Sequence, residues 1–256
     1  MPGSKRKYTK RTSTGVRYKR ADHYAASKIQ AAIRRAINKN IETKMGCRQI
    51  TDGIEIGHNN FVILSNQPLD TVNGTEDEEN AQGQRIGDKI NLRGLKISMM
   101  VELNERFSDV TFRFLFVKSA KNDTPTRATL FMGNSGNKMI DNLNTERYTI
   151  LKQKWFKIKA ANQGTNGGTP AAGSGLNTAT ESQQLLSRAT RIVKVWIPGQ
   201  KIIKSGIFTY ENNSNQPKFF DYHAILYAYS NYSTNQDVWY VGRLNDMVIQ
   251  MYYKDA

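Results

Sequence analysis

The period with which apolar residues recur along the chain changes near Gly46. Between Ile29 and Ile41 an isoleucine stands at every fourth position, with alanines in between. This spacing places the isoleucines on one face of a helix, and Asp22 is of the residue type that caps a helix N-terminus. The sequence therefore predicts an amphipathic helix over about 22–40, and we assign 22–45 to this helix and a linker.

After Gly46 the apolar residues recur at every second position, which is typical of β-strands. In the long strand that begins at Ile90, the alternation slips by one position at Gly94, which indicates a β-bulge. The last strand is expected to bend near Asn245. The predicted strands are 61–64, 90–103, 110–116, 148–158, 190–197, 202–210, 219–230 and 238–253.

The segments between these strands are rich in Gly, Asn, Ser and Thr, and they predict turns and loops rather than crossover helices. A short helix near 137–143 is the exception, and residues 161–187 predict a long surface loop. About eight strands with such connections indicate an all-β fold. We expect an eight-stranded antiparallel jelly roll, with two sheets packed as a sandwich over 46–256.

Positive charge is concentrated at the amino terminus. The chain of 256 residues has 37 Lys and Arg against 22 Asp and Glu, a net charge of +15. Residues 1–50 contain 14 of these cations and two of the acids, so they contribute +12 and the rest of the chain +3. A solubilising tail does not need this asymmetry, whereas a segment that neutralises a polyanion does.

Residues 1–21 predict a disordered basic arm, because they carry eight cations and no apolar periodicity. We expect these cations, together with those on the polar face of the predicted helix, to contact nucleic-acid phosphates. The full set is Lys5, Arg6, Lys7, Lys10, Arg11, Arg17, Lys19, Arg20, Lys28, Arg34, Arg35 and Lys39. The first five of them also match a nuclear-import pattern.

Three tyrosines lie near these cations, at Tyr8, Tyr18 and Tyr24. Aromatic side chains stack on unpaired bases, so their position among the cations favours a single-stranded partner over a double-stranded one. The predicted partner is therefore single-stranded nucleic acid.

Catalytic chemistry has little support in the sequence. Of the three histidines, His223 lies two residues from Asp221 on a predicted strand, so both share a face. No serine or cysteine follows in the strained turn that a nucleophile requires. We expect His223 to be a hydrogen-bonded structural residue, and we expect no enzymatic activity and no cofactor.

Metal, disulfide and membrane roles are not predicted either. No two histidines stand at metal-ligand spacing, and the acidic residues 76–79 are expected to be solvated rather than to bind calcium. Cys47 is the single cysteine, which excludes a disulfide within the chain. No apolar run approaches the ~18 residues of a membrane span, and no apolar segment follows the basic amino terminus as in a signal peptide.

Aromatic residues crowd the last two predicted strands and the segment between them. Because strand residues alternate between faces, about half are expected in the core and the other half on the surface, as at a protein interface. The residues are Tyr222, Tyr227, Tyr229, Tyr232, Trp239, Tyr240, Tyr252 and Tyr253.

The order of these features resembles a family of viral proteins. The basic arm and helix are followed by Arg85-Ile-Gly-Asp-Lys-Ile, Phe112-Arg-Phe-Leu-Phe-Val-Lys-Ser, Asn142-Leu-Asn-Thr-Glu-Arg-Tyr, Val195-Trp-Ile-Pro, Phe208-Thr-Tyr and His223-Ala-Ile-Leu-Tyr-Ala-Tyr. This series covers nearly the whole chain. It is similar to the coat proteins of small viruses with circular single-stranded DNA, such as geminiviruses, circoviruses and nanoviruses.

The resemblance implies a jelly-roll shell domain and self-assembly of identical subunits into an icosahedral (T=1) capsid. It also implies packaging of a single-stranded DNA genome by the arm from Lys5 to Arg20, in a virion protein that host import receptors carry to the nucleus. The loops at 65–84, 122–137 and 161–187 would face outward or form symmetry contacts. The zinc-binding residues of some geminivirus coats are absent, so no metal role is implied.

Two other functions remain open from the residues themselves. One is the coat of a small RNA or satellite virus, which would share the arm and the fold. The other is a cellular, oligomeric single-strand nucleic-acid-binding protein. Charge does not separate DNA from RNA, and only the resemblance favours DNA.

Overall fold

The computed structural model of the chain describes residues 28–30, 32–33, 43–51, 53–71, 85, 87–104, 107, 109–133, 137–159, 189–212, 214–230 and 240–255. The chain divides into two compact units, Met1–Glu42 and Thr43–Ala256.

In the first unit, the described residues 28–30 and 32–33 are all helical. They lie within the helix predicted over 22–40, whose other residues are outside the described part of the chain. Ile29 and Ile33 belong to the predicted isoleucine stripe, and both side chains are exposed.

Antiparallel strands dominate the second unit. The strands are β1 (Lys44–Ile50), β2 (Ile54–Gly57), β3 (Asn60–Asn66), β4 (Lys89–Leu103), β5 (Asp109–Ala120), β6 (Phe131–Met132), β7 (Asn142–Leu143), β8 (Thr149–Lys159), β9 (Thr190–Pro198), β10 (Ile207–Thr209), β11 (Phe220–Tyr229) and β12 (Tyr240–Asp255). Two helices of four residues accompany them, α1 (Arg127–Leu130) and α2 (Gly199–Ile202).

The strands form two main sheets. Sheet A has the order β1-β12-β4-β10, and β2 also pairs with β12 while β9 also pairs with β4. β1 and β2 occupy successive stretches of one edge of β12, and β9 and β10 occupy successive stretches of one edge of β4. Sheet B has the order β3-β11-β5-β8, and β6 pairs with β7 as a separate ribbon.

The main core lies between sheets A and B. Alternate residues of both sheets point into it, among them Ile97 of β4 and Phe114 of β5, both fully buried. Phe112 of β5 stacks on Phe156 of β8, with ring centroids 5.2 Å apart. The predicted all-β antiparallel fold is confirmed. The predicted count of eight strands is not, since the described residues contain twelve.

A second, smaller core covers the other face of sheet B. Leu115 and Val117 of β5 and Ile225 of β11 point away from sheet A and pack against Leu130 and Tyr148. The segment between β5 and β8 therefore covers part of this face of sheet B, whereas Trp155 on the same face of β8 remains exposed.

Two local predictions are wrong, one for the segment between β5 and β8 and one for the residues before β10. The helix predicted near 137–143 is a turn at 138–140 followed by β7, and the helix forms instead at Arg127–Leu130. Thr126 caps it, because its hydroxyl accepts from the Thr129 N–H while the Thr129 hydroxyl accepts from the Thr126 N–H. The strand predicted over 202–210 is limited to Ile207–Thr209, because α2 ends at Ile202 and a turn follows it, with Gly206 at a positive φ.

The predicted bulge at Gly94 is confirmed. In the pairing of β4 with β12, Gly94 lies opposite Tyr252 but Leu92 lies opposite the next residue, so Arg93 is the extra residue. The bulge lets Leu92 and Leu95 both point into the core. A second register shift falls at Asn245, where the sequence predicts the bend.

Candidate nucleic-acid interface

One of the predicted phosphate-contacting cations, Lys28, lies within the described residues, in a helical stretch whose described residues are all exposed. Tyr8, Tyr18 and Tyr24, the acidic residues 76–79 and the loop 161–187 lie outside the described part of the chain. So do the remaining predicted cations, Lys5, Arg6, Lys7, Lys10, Arg11, Arg17, Lys19, Arg20, Arg34, Arg35 and Lys39. Those predictions remain predictions.

A different group of cations lies together on one margin of the sandwich. β8 ends sheet B and β9 is an outer strand of sheet A, and the two strands contact each other. Together they carry six cations, a group that we name the cationic edge. Its members are Lys152, Lys154, Lys157, Lys159, Arg191 and Lys194.

Two hydrogen bonds join the strands across this margin. The Lys154 Nζ donates to the Lys194 carbonyl oxygen over 2.8 Å, and the Arg191 Nη1 donates to the Lys157 carbonyl oxygen over 2.5 Å. Within the described residues, one acid pairs with the group, since Asp109 lies 2.6 Å from the Lys157 Nζ. The cationic edge therefore keeps a strong excess of positive charge, which attracts phosphates.

A register shift in β8 brings two of these lysines to the margin. The pairing with β5 slips at Leu151, because Ile150 lies opposite Val117 whereas Lys152 lies opposite Phe116. After the slip, the side chains of Lys152 and Lys154 point to the same side of sheet B as the core residue Phe156. Both are half-buried, at the margin where the two sheets separate. The sequence shows a lysine-rich strand, but only the tertiary structure places that strand at an edge beside β9.

Two exposed tryptophans accompany the cationic edge. Trp155 of β8 is 54% exposed, and the guanidinium of Arg113 lies 5.3 Å from its ring. Trp196 of β9 is 46% exposed, and its ring lies 5.7 Å from that of Tyr252. Trp155 points away from the core on sheet B and Trp196 does so on sheet A, each with at least one exposed lysine on the same face of its strand. An exposed ring beside cations can bind a single strand by stacking and charge. Sequence reasoning did not single out either tryptophan.

The prediction that about half of the aromatic residues of the last strands lie in the core is confirmed for the tyrosines that the structure describes, but none of the others is fully exposed. Tyr222, Tyr227 and Tyr253 are buried, and the other three described tyrosines are half-buried. Tyr227 faces away from sheet A, but the second core covers it. Tyr232 and Trp239 lie outside the described residues.

Gly94 allows Trp196 to lie flat on β4, and we expect Gly94→Ala to displace the ring. A Cβ at position 94 would overlap Cζ2 of Trp196 and lie 3.0 Å from the Ile197 carbonyl oxygen. Overpacking of this kind costs about 1–3 kcal/mol of the free energy of unfolding. Urea titration measures the loss, and a change in tryptophan fluorescence of the folded protein reports the displaced ring.

Gly57→Ala provides the matched control for this prediction. A Cβ there would lie 3.7 Å from the Cβ of Asn60, an ordinary contact, so the effect on stability is expected to be small. Adding Trp196→Ala to Gly94→Ala removes the obstructing ring and is expected to recover part of the lost stability. If the double variant is no more stable than Gly94→Ala, Trp196 is not what constrains the glycine.

His223 is the centre of a buried hydrogen-bond chain. Its Nδ1 lies 2.9 Å from Oδ1 of Asn66, and its Nε2 lies 3.0 Å from Oγ of Ser119. A serine, a histidine and an orienting amide form the order of groups seen in nucleophilic catalysis. His223 and Ser119 are each only 2% exposed, however, so a substrate has no path to the hydroxyl. The prediction that His223 is hydrogen-bonded is confirmed.

Sequence reasoning missed Ser119 because nothing in the sequence relates it to His223. β5 and β11 are adjacent antiparallel strands, and Ser119 lies opposite Asp221 in their register. Asp221 accepts the Asn122 N–H over 2.7 Å and lies 3.5 Å from the Lys121 Nζ. The predicted pair on one face therefore serves a turn rather than a reaction centre.

We expect replacement of His223 by glutamine to remove part of the acid sensitivity of the fold. Burial lowers the pKa of the His223 imidazole below its ordinary value of about 6.5, although Asp221 and Asp123 act in the opposite direction. As pH falls through 6.5, the unfolded chain binds a proton at this residue and the folded chain does not, so stability decreases. The free energy of unfolding of the unmodified chain should exceed that of His223→Gln by less at pH 5 than at pH 7.

Urea titrations of both proteins at each pH measure this difference. Burial raises the pKa of Asp70 to about 6, so Asp70 also titrates in this range with the opposite effect on stability. Asp70 is present in both proteins, so its contribution cancels in the comparison. A constant difference between the two proteins from pH 7 to pH 5 would contradict the assignment.

Within the described ranges, no group of three or more His, Cys, Asp or Glu residues could hold a metal ion. The helices of those ranges are all too short or too polar to cross a membrane. No protein-family model matches the chain, and a search of curated proteins finds no match either.

Proposed function

We propose that this chain is the coat protein of a small virus with a circular single-stranded DNA genome, and that its basic arm packages the genome. One observation carries the proposal: residues 1–42 hold twelve cations and two acids, +10 of the net charge of +15, and precede an antiparallel β-sandwich unit that carries the remaining +5. A container for nucleic acid needs a flexible source of counter-charge and a rigid unit that can be repeated. Here the basic segment and the β-sandwich are parts of the same chain.

The strand order supports a jelly roll as the finer description of the fold. β1 and β2 together form one interrupted edge strand of sheet A, and β9 and β10 together form the other. Numbering the eight resulting strands along the chain gives the order 1-8-3-6 in sheet A and 2-7-4-5 in sheet B. Two nested Greek keys of eight strands produce such an order, and viral capsid domains use it.

The cationic edge supports binding of a single strand. Phosphate contacts by lysine and arginine supply affinity without sequence preference, which is what a coat protein requires of a whole genome. Trp155 and Trp196 offer rings on which unpaired bases can stack. The tyrosines of the arm would act in the same way.

Exposed apolar residues support assembly with identical subunits. Met132 and Ile140 lie on the segment that covers sheet B, and Met45 and Ile192 lie on outer strands of sheet A. Each of these surfaces therefore offers an apolar side chain that contact with a neighbouring subunit would bury. A closed shell in the virion requires contacts between subunits on several surfaces. In a separate role, the arm would carry the chain to the host nucleus through import receptors.

Expression of the full chain followed by electron microscopy tests the proposal. Uniform closed particles are expected, and nuclease treatment should leave protected nucleic acid inside them. Sequencing the protected material distinguishes a DNA coat from the coat of an RNA or satellite virus. A discrete small oligomer that binds single strands would instead indicate a cellular nucleic-acid-binding protein and would refute a coat function.

A further inference from the structure

An open cavity of about 220 Å³ lies where β8 begins and β9 gives way to α2, at one end of the cationic edge. Pockets that enclose a drug-sized molecule have volumes of roughly 300–1,000 Å³, so this cavity accommodates one ring system with its substituents rather than a large cofactor. We name it the edge pocket.

Three lysines line the edge pocket, Lys118 of β5, Lys201 of α2 and Lys204 just after α2. No acidic residue lines it, and within the described part of the chain none of these ammonium groups forms an ion pair. Burial lowers the pKa of Lys118, and the charge of Lys204 lowers it further. An anion placed between these lysines would relieve their repulsion, so the pocket favours a negatively charged ligand.

Aromatic rings form the remainder of the pocket. Phe208 and Tyr222 are buried and form its floor, with ring centroids 5.8 Å apart. Phe219 and Phe220 are both exposed at its rim, and the Lys118 Nζ lies 3.6 Å from the centroid of the Phe220 ring. The pocket therefore combines an apolar floor, exposed π surfaces and an uncompensated charge of about +3.

The backbone holds this arrangement in place at Gly199. A Cβ at this position would collide with the carbonyl oxygen of Leu92 on β4, so only glycine lets α2 pack directly on that strand. The lysines on and after α2 are thereby fixed against the sandwich rather than carried on a free loop.

We propose that the edge pocket binds one nucleotide of a single strand, with the base against the phenylalanine rings and the phosphate between Lys118, Lys201 and Lys204. The strand would continue along the cationic edge, where Lys154 and Lys194 follow the pocket along β8 and β9. An acidic peptide would satisfy the lysines, but the exposed rings of Phe219 and Phe220 match a flat base better than an aliphatic side chain. The choice of nucleotide rests on the proposed function.

Binding of thymidine 5′-monophosphate to the full chain, measured by calorimetry at physiological ionic strength, tests this inference. Saturable binding of one nucleotide per chain is expected, with much weaker binding of thymidine and of inorganic phosphate alone. Lys204→Ala should weaken binding about tenfold, since it removes a charge-assisted contact. Phe220→Leu should weaken it about fivefold or more, since it removes a stacking surface.

Two variants on the segment that covers sheet B serve as controls. Arg127→Ala removes an exposed cation and Met132→Ala removes an exposed apolar side chain, both outside the edge pocket and the cationic edge. Both should leave thymidine 5′-monophosphate binding unchanged. Urea titration of each pocket variant separates a loss of binding from a loss of folding.

A photocrosslink locates the nucleotide directly. A short oligodeoxythymidine with one 5-iodouracil should crosslink to Phe219 or Phe220, as identified by mass spectrometry of the digested protein. Crosslinks confined to other residues, or equal effects of the pocket and control variants, would overturn the inference. So would the absence of measurable nucleotide binding together with binding of a peptide that has the acidic sequence of residues 70–79, which would identify the pocket as a peptide site.

The inference and the proposed function can fail separately. If the chain binds the nucleotide in the edge pocket but forms no closed particles, the coat function is wrong and the site stands. If closed particles protect nucleic acid but the pocket binds no nucleotide, the site is wrong and the coat function stands.

Discussion

Deletion of residues 2–20 is expected to make binding of single-stranded DNA far less sensitive to salt. The deleted segment carries eight cations and no acid. Each phosphate neutralised on a single strand contributes about −0.7 to the slope of log affinity against log salt, so the deletion should make the slope less negative by about 5–6. The ratio of the affinity of the full chain to that of the deletion variant would then be about a thousandfold higher near 50 mM salt than near 200 mM salt.

Fluorescence anisotropy with a labelled oligodeoxythymidine over this salt range measures both slopes. A shallower slope should remain after the deletion, because the cationic edge is still present. The deleted chain should unfold at the same urea concentration as the full chain, since the strands of the second unit begin at Lys44. Equal slopes for the two proteins would show that the arm does not contact the phosphates.

Phe112→Ala is expected to cost about 3–5 kcal/mol of the free energy of unfolding, a large part of the ~5–15 kcal/mol available to a typical domain. Phe112 is fully buried between the sheets, and its ring stacks on Phe156. Its ring edge also lies against β12, because a Cβ at Gly242 would be only 2.7 Å from Cζ of Phe112. The substitution leaves a cavity where strands of both sheets meet, and these strands cannot collapse without breaking their pairing.

Phe219→Ala is the matched control for this substitution. The same atoms are removed, but the Phe219 ring is 58% exposed, so the expected change in the free energy of unfolding is within about 0.5 kcal/mol. Urea unfolding followed by circular dichroism measures both variants. Similar losses for the two would contradict the placement of the core between sheets A and B.

Local pattern was sufficient to predict most strands and their irregularities. The alternation of side chains around Gly94 and the turn residues near Asn245 are local signals, and both register shifts occur where they indicate. The helix predicted near 137–143 failed for a related reason. Apolar residues of this segment, such as Met139 and Leu143, recur at helical spacing. They do so not because they form a helix, but because a turn and a short strand place both of them against the second core.

The candidate site could not be predicted in the same way, because it depends on which strands become neighbours. The lysines of β8 and the tryptophan at 196 are visible in the sequence, but their cooperation requires β8 to end one sheet beside β9 of the other. The edge pocket likewise combines residues of β5, β8, α2 and β11, which are far apart along the chain. Periodicity reports which face of a strand is buried, not which strand lies beside it.

The sequence by itself determined the all-β class of this protein, the bulge at Gly94 and the separation of a strongly basic amino terminus from a nearly neutral remainder. These follow from residue type and spacing, which act over a few positions of the chain. Only the tertiary structure decided that the described tyrosines of the last strands are buried or half-buried, that His223 is buried between Asn66 and Ser119, and that cations of both sheets meet at one margin of the sandwich. Those outcomes depend on contacts between residues distant in sequence, which are fixed only when the two sheets pack.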